Sequence, residues 1–116
     1  MKSSALFIIS ADPRTSTRAA EAVRIAAGVA PWQRVRIQVC FRGAAVLALD
    51  TQVEQWVDGE VFLRHLPSLA LEPRTLWARA ESPFMAEIKE PIIPFETLNG
   101  PQLAALAAGA QYVLNF

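Results

Sequence analysis

The chain holds one cysteine, Cys40, and any thiol chemistry has to start there. It lies near the end of the alternating run Arg34-Val35-Arg36-Ile37-Gln38-Val39-Cys40-Phe41, two residues before Arg42. A guanidinium beside a thiol favours the thiolate, which would make Cys40 a candidate persulfide-bearing or redox group. The strand pattern argues the other way. Free cysteine is among the most buried residue types, and a strand of this kind takes it as a small apolar filler. The filler reading is preferred, although Arg36 and Gln38 share its strand face. No catalytic residue is expected, with Cys40 the only candidate to be tested.

A second chemistry is offered by Ser10-Ala11-Asp12-Pro13-Arg14-Thr15-Ser16-Thr17-Arg18. This segment leaves the end of an apolar run and leads into a helical pattern. Free N–H groups and the helix dipole favour an anion at such a place. Asp12, Arg14, Thr15, Ser16 and Arg18 are the candidate ligand-binding residues here, joined by Arg42 and Arg79 from the ends of later strands. No Gly-rich phosphate loop is present, so neither a P-loop nor a dinucleotide fingerprint is supported. The plain alternative is a capped helix with solvated arginines.

Other chemistries lack their parts. His65, in Val61-Phe62-Leu63-Arg64-His65-Leu66, has no second histidine and no neighbouring cysteine to share a metal. A metal site needs several ligands, so no metal and no cofactor are expected. The carboxylates are scattered, and no pair has a spacing that suggests acid/base work. Trp32, Trp56 and Trp77, with Phe62 and Phe84, could line a pocket or an interface, but most are expected in the core. Trp56 is the one singled out for exposure.

The elements that must position these residues alternate along the chain. Ala5-Leu6-Phe7-Ile8-Ile9 is a short continuous apolar run, which suits a strand buried on both faces. Residues 15–29 read as a helix capped by Thr15 or Ser16, with Arg18, Glu21 and Arg24 in a narrow polar stripe. A helix otherwise so apolar is expected to pack on the sheet and on a further element or subunit. Val35 to Phe41 is the second strand, and Ala44 to Leu49 a short apolar helix. Residues 53–58 are ambiguous. Gly59 to Leu66 reads as a helix ended by Pro67, and Arg74 to Ala78 as a third strand. Ser82-Pro83 starts a helix, and Ile92 to Phe95 forms a fourth strand. Gly100-Pro101 opens the helix Gln102 to Ala108, closed by Gly109, and Tyr112 to Phe116 is the last strand.

This order predicts an α/β domain over residues 1–116, a mostly parallel five-stranded sheet sandwiched by helices. The length suits one domain with a real core, and 53% of the residues are apolar. Eleven basic and eleven acidic side chains cancel, so no strong field draws the chain to nucleic acid or anionic lipid. All the basic residues except Lys2 and Lys89 are arginines, which suit bidentate pairing. One cysteine cannot form an internal disulfide, so a cytoplasmic setting is expected. No signal-peptide pattern precedes the run Ala5 to Ile9, and no run approaches the ~18 apolar residues that read as a membrane span. A soluble protein without membrane or nucleic-acid partners is expected.

Three stretches carry a resemblance to a known family. The first is Ile8-Ile9-Ser10-Ala11-Asp12-Pro13 with the Ala-rich helix through Ala27. The second is Val35-Arg36-Ile37-Gln38-Val39-Cys40-Phe41-Arg42-Gly43-Ala44-Ala45-Val46. The third is the ending, Leu103-Ala104-Ala105-Leu106-Ala107-Ala108-Gly109-Ala110-Gln111-Tyr112-Val113-Leu114-Asn115-Phe116. Together they resemble the DsrE/DsrF-like family, which includes the small subunits of the Tus sulfur-relay complex. The resemblance implies oligomers stacked through sheet edges and helices. For active members it also implies a persulfide-carrying cysteine just after the third strand. The matching stretch here is Leu76-Trp77-Ala78-Arg79-Ala80, without a cysteine.

The resulting expectation is a non-catalytic DsrE/DsrF-like protein, an accessory or scaffold subunit linked to sulfur-relay or redox metabolism. A homo-oligomer (trimer or hexamer) or a hetero-oligomer with related subunits goes with it. The alternative is a small-molecule or anion-binding module, or a weak sulfurtransferase using Cys40.

Overall fold

The strand β1 (Ser3–Ile9) runs through the middle of the molecule and is buried from Ala5 onward, as its unbroken apolar sequence requires. It pairs in parallel with β2 (Val35–Phe41) on one side and β5 (Tyr112–Asn115) on the other. The strands β3 (Thr75–Arg79) and β4 (Glu96–Leu98) extend the sheet beyond β2. The order is β4-β3-β2-β1-β5, and every pairing is parallel. The computed structural model describes residues 3–32, 34–71 and 75–116. Arg74, expected to begin the third strand, lies outside them.

The two faces of the sheet are dressed unequally. Ala5, Phe7 and Ile9 of β1, with Ile37, Val39 and Phe41 of β2, form the floor of the main core. Over it lie α1 (Arg18–Val29) and α2 (Gly59–Leu69), packed side by side, with a 3-10 helix over Gly43–Leu49. The alternate residues Leu6, Ile8 and Cys40 face the other side, where Leu98 of β4 and Leu103 of α3 (Gly100–Gly109) join them. Each fully buried Leu or Phe contributes about 1.5–3 kcal/mol, so the first face carries most of the stability.

The apolar circumference expected to need a partner on α1 is largely used inside the chain. Ala19, Ala20, Ala22, Val23 and Ala26 are buried against the sheet and α2. The outward side carries Glu21, Arg24 and Ile25. The helix starts at Arg18 rather than Thr15, because residues 12–16 form a turn in which the N–H groups of Thr15 and Ser16 both bond the Asp12 carbonyl. Neither Thr15 nor Ser16 is the cap: Thr17 holds that position without a side-chain cap bond, and the Ser16 hydroxyl accepts the Arg18 N–H at 3.2 Å from the turn before it.

Two further boundaries moved. α2 continues through Pro67 to Leu69. Pro67 itself is exposed, so its ring costs the helix one backbone bond without displacing the core. The fourth strand is Glu96–Leu98, not Ile92 to Phe95. Pro94 has no N–H for a ladder, and the chain before it is committed elsewhere: the Ile92 N–H bonds the Leu49 carbonyl at 2.8 Å, and Pro91 bridges Asp50.

The remaining segments are 3-10 turns over Ala30–Trp32, Thr51–Gln55 and Pro83–Glu87, the last capped by Ser82 as its sequence predicts. α3 has a full capping box, Asn99 accepting the Gln102 N–H while Gln102 accepts that of Asn99. No helix among the described residues is long and apolar enough to cross a membrane.

Candidate functional site

Cys40 is fully buried on the second face of the sheet, beneath α3. Its neighbours across the ladder are Ile8 and Trp77. Burial pushes its thiol up to about 11, against the pull of the Arg42 and Arg79 guanidiniums. A thiolate is therefore scarce near neutral pH, and the sulfur is out of reach of a substrate. The apolar-filler reading describes this geometry. The region after β3, Ala80-Glu81-Ser82, holds no thiol. The nearest hydroxyl there, Ser82, is buried and engaged: it donates to the Gly43 carbonyl at 2.8 Å and accepts the Phe84 N–H at 3.2 Å.

The other candidate residues gather at the carboxyl edge of the sheet but split into separate groups. Asp12 and Arg14 close on each other, Arg14 Nε and Nη2 donating to both carboxylate oxygens at 2.9–3.3 Å. The Arg14 side-chain bond holds the Asp12 carboxyl below its usual range. The same guanidinium lies 5.3 Å from the centre of the Phe84 ring. Arg14 thus has its charge matched and its flat face covered. Thr15 is exposed on the turn, and Arg18 reaches the Asn115 carbonyl at 3.5 Å.

Arg42 and Arg79 stand apart from that pair. Arg42 Nε donates to the Ser10 hydroxyl at 2.7 Å, so its partner is neutral. Arg79 Nε donates to Glu81 at 3.3 Å. Glu81 also accepts the Gly100 N–H at 2.9 Å, and that bond first, then its own backbone N–H and Arg79, keeps its carboxyl low. Glu81 was not singled out from the sequence; the spacing Arg79-x-Glu81 on a strand end was the available sign. The Arg79 guanidinium lies close over Gly100, where a Cβ would meet it at 2.6 Å and the flexible arginine would have to shift.

His65 is half-buried on α2, and among the described residues no group of three His, Cys, Asp or Glu side chains could hold a metal ion. The tryptophans divide differently from expectation. Trp56 and Trp77 are partly buried against the two cores, whereas Trp32 is 71% exposed, because it ends the turn after α1 where neither the helices nor the sheet can cover it.

No protein-family model matches the chain, and no curated protein matches it. Among solved structures it superposes on the crystal structure of the YchN protein from E. coli with a TM-score of 0.83 and 17% sequence identity, over 100% of both chains. At that identity the likeness is one of fold. Along its whole length the chain is similar to YchN and has the five-stranded, DsrE-like α/β architecture that its sequence resembles.

Proposed function

We propose that this chain is a non-catalytic DsrE-like subunit that acts as an accessory or scaffold partner in sulfur-relay or redox metabolism. The observation that carries the reading is the burial of Cys40. On a frame of this kind the chemistry needs an exposed, acidic thiol, and the only thiol is enclosed and weakly acidic. Assembly is supported by the surface on the thinner side of the sheet. Ala104, Ala105 and Ala108 of α3 face outward with no charged residue on the helix. The edge strand β5 is uncharged and leaves Tyr112 and Val113 54% and 40% exposed. An open edge of that composition is a natural pairing surface.

The test combines two measurements on the native chain. Thiol labelling of Cys40 at pH 8 is expected only at the rate at which the protein unfolds. Light scattering at micromolar concentration is expected to give a multiple of the 12.7 kDa chain mass. Fast native labelling would sink the non-catalytic half of the proposal, and a monodisperse monomer the assembly half.

A further inference from the structure

Three neighbouring strands end together on the second face of the sheet. The register runs Ile8 to Cys40 and Cys40 to Trp77, so two residues further on, the same face carries Ser10, Arg42 and Arg79. The Arg42 N–H continues the ladder to the Ile9 carbonyl at 3.0 Å, which sets Arg42 beside Ser10. Two like charges side by side on adjacent strands repel unless something of opposite charge lies between them. Glu81 supplies one such charge, but it is held at Arg79 Nε and the Gly100 N–H. Among the described residues Arg42 forms no ion pair, and one hydroxyl occupies one of its donors.

The charged side chains on neighbouring elements leave the spot positive, while on the β5 side a Phe116 oxygen accepts the Ser10 N–H at 2.7 Å. α3, which crosses this face, has no charged side chain. Glu96 lies level with Trp77, toward the amino end of the sheet, and Asp12 is closed on Arg14. Below Ser10 and Arg42 the floor is Ile8 and Cys40, and Leu98 lies level with Arg79, all buried and apolar, so the positive charge is weakly screened on those sides.

We propose that Ser10, Arg42 and Arg79 form a binding site for a small oxyanion of the phosphate or sulfate type. Two planar guanidiniums offer forked N–H pairs that match its oxygens, and the Ser10 hydroxyl donates a further bond. The anion supplies the missing charge between the two strand ends. The site goes beyond the accessory-subunit reading and stands or falls separately from it.

The test titrates the full chain with inorganic phosphate, and separately with sulfate, against chloride at matched ionic strength. Calorimetry is expected to show saturable binding at one site per chain for at least one of them. At ten times its Kd that anion should raise Tm by about 6 °C. Arg42→Ala and Arg79→Ala are each expected to weaken binding about tenfold or more. Arg24→Ala, on the outward side of α1, should bind as the natural chain does. Should Arg79→Ala fail to fold, Arg79→Lys keeps the charge and loses the fork, and a severalfold weakening is expected. Effects of phosphate and sulfate equal to those of chloride would overturn the proposal, as would undiminished binding by Arg42→Ala. A preference for one oxyanion identifies the ligand's chemistry.

Discussion

Asp50 accepts the backbone N–H of Glu90 at 2.7 Å across a separation of forty residues. The same carboxylate, almost wholly enclosed, takes the N–H groups of Lys89 at 2.9 Å and Gln52 at 3.1 Å. It joins the turn after the Gly43–Leu49 helix to the segment leading into β4. Burial alone would raise its pKa more than any single bond lowers it, but the bonds from Glu90, Gln52 and Lys89 together outweigh it.

Asp50→Ala should therefore cost about 3 kcal/mol, since it strands several backbone donors, and Asp50→Asn about half as much. The native pKa lies below its ordinary 3.8, so the unfolded chain binds the proton first. The stabilisation is fully present above about pH 5. It is lost as pH falls through the native value. Urea midpoints of the natural chain should drop between pH 5 and pH 2.5, and the Asp50→Asn variant should show a smaller drop.

Cys40 predicts a loss of stability at the opposite end of the pH scale. Its pKa rises from 9.0 to about 11 on folding, so the unfolded chain ionises first. The contribution is complete below pH 9 and declines toward pH 11, by at most about 1.4 kcal/mol per pH unit. Cys40→Ala removes that slope, at the cost of a small cavity worth about 1 kcal/mol at neutral pH. Denaturant titrations at pH 8, 9.5 and 10.5 compare the two.

Gly59 opens α2 against the backbone of Val53, and a Cβ there would overlap the Val53 carbonyl oxygen. Gly59→Ala should lose about 3 kcal/mol or more, because backbone, not a movable side chain, stands in the way. The residue before it, Asp58, has φ of 62°, the left-handed region that glycine occupies without strain, and its side chain makes no cap bond. Asp58→Gly is expected to raise stability by about 0.5–1 kcal/mol. Thermal melts of both single variants should move in opposite directions.

Asn99→Ala removes the capping box of α3 and should cost about 1 kcal/mol. Because α3 is the cover over Leu6, Ile8 and Cys40, the loss should also be local. Hydrogen exchange is expected to accelerate along residues 102–109 before it changes in α1. Uniform acceleration across both helices would show that α3 does not open on its own.

The alternation of apolar runs and helical patterns was enough to determine the class of fold. β1 and β2 are legible because an unbroken or alternating apolar run of that length has few other uses, and α3 because Asn99, Gly100, Pro101 and Gly109 mark its ends. β4 was misplaced since Ile92 and Ile93 look like a strand, while their apolar surface serves the core from a segment tied to Leu49 and Asp50. Those ties span some forty residues and leave no local trace.

The candidate site divides in the same way. Sequence alone determined that there is one thiol, and that Arg42 and Arg79 follow strands. Only the tertiary structure decided that Cys40 is sealed, that Arg14 is spent on Asp12, and that Arg42, level with Arg79 across the β2–β3 register, has a neutral partner. Pattern reports which face of a strand a residue occupies. Which strands are neighbours, and so which charges meet, depends on the order β4-β3-β2-β1-β5, set by the global packing of helices on the two faces.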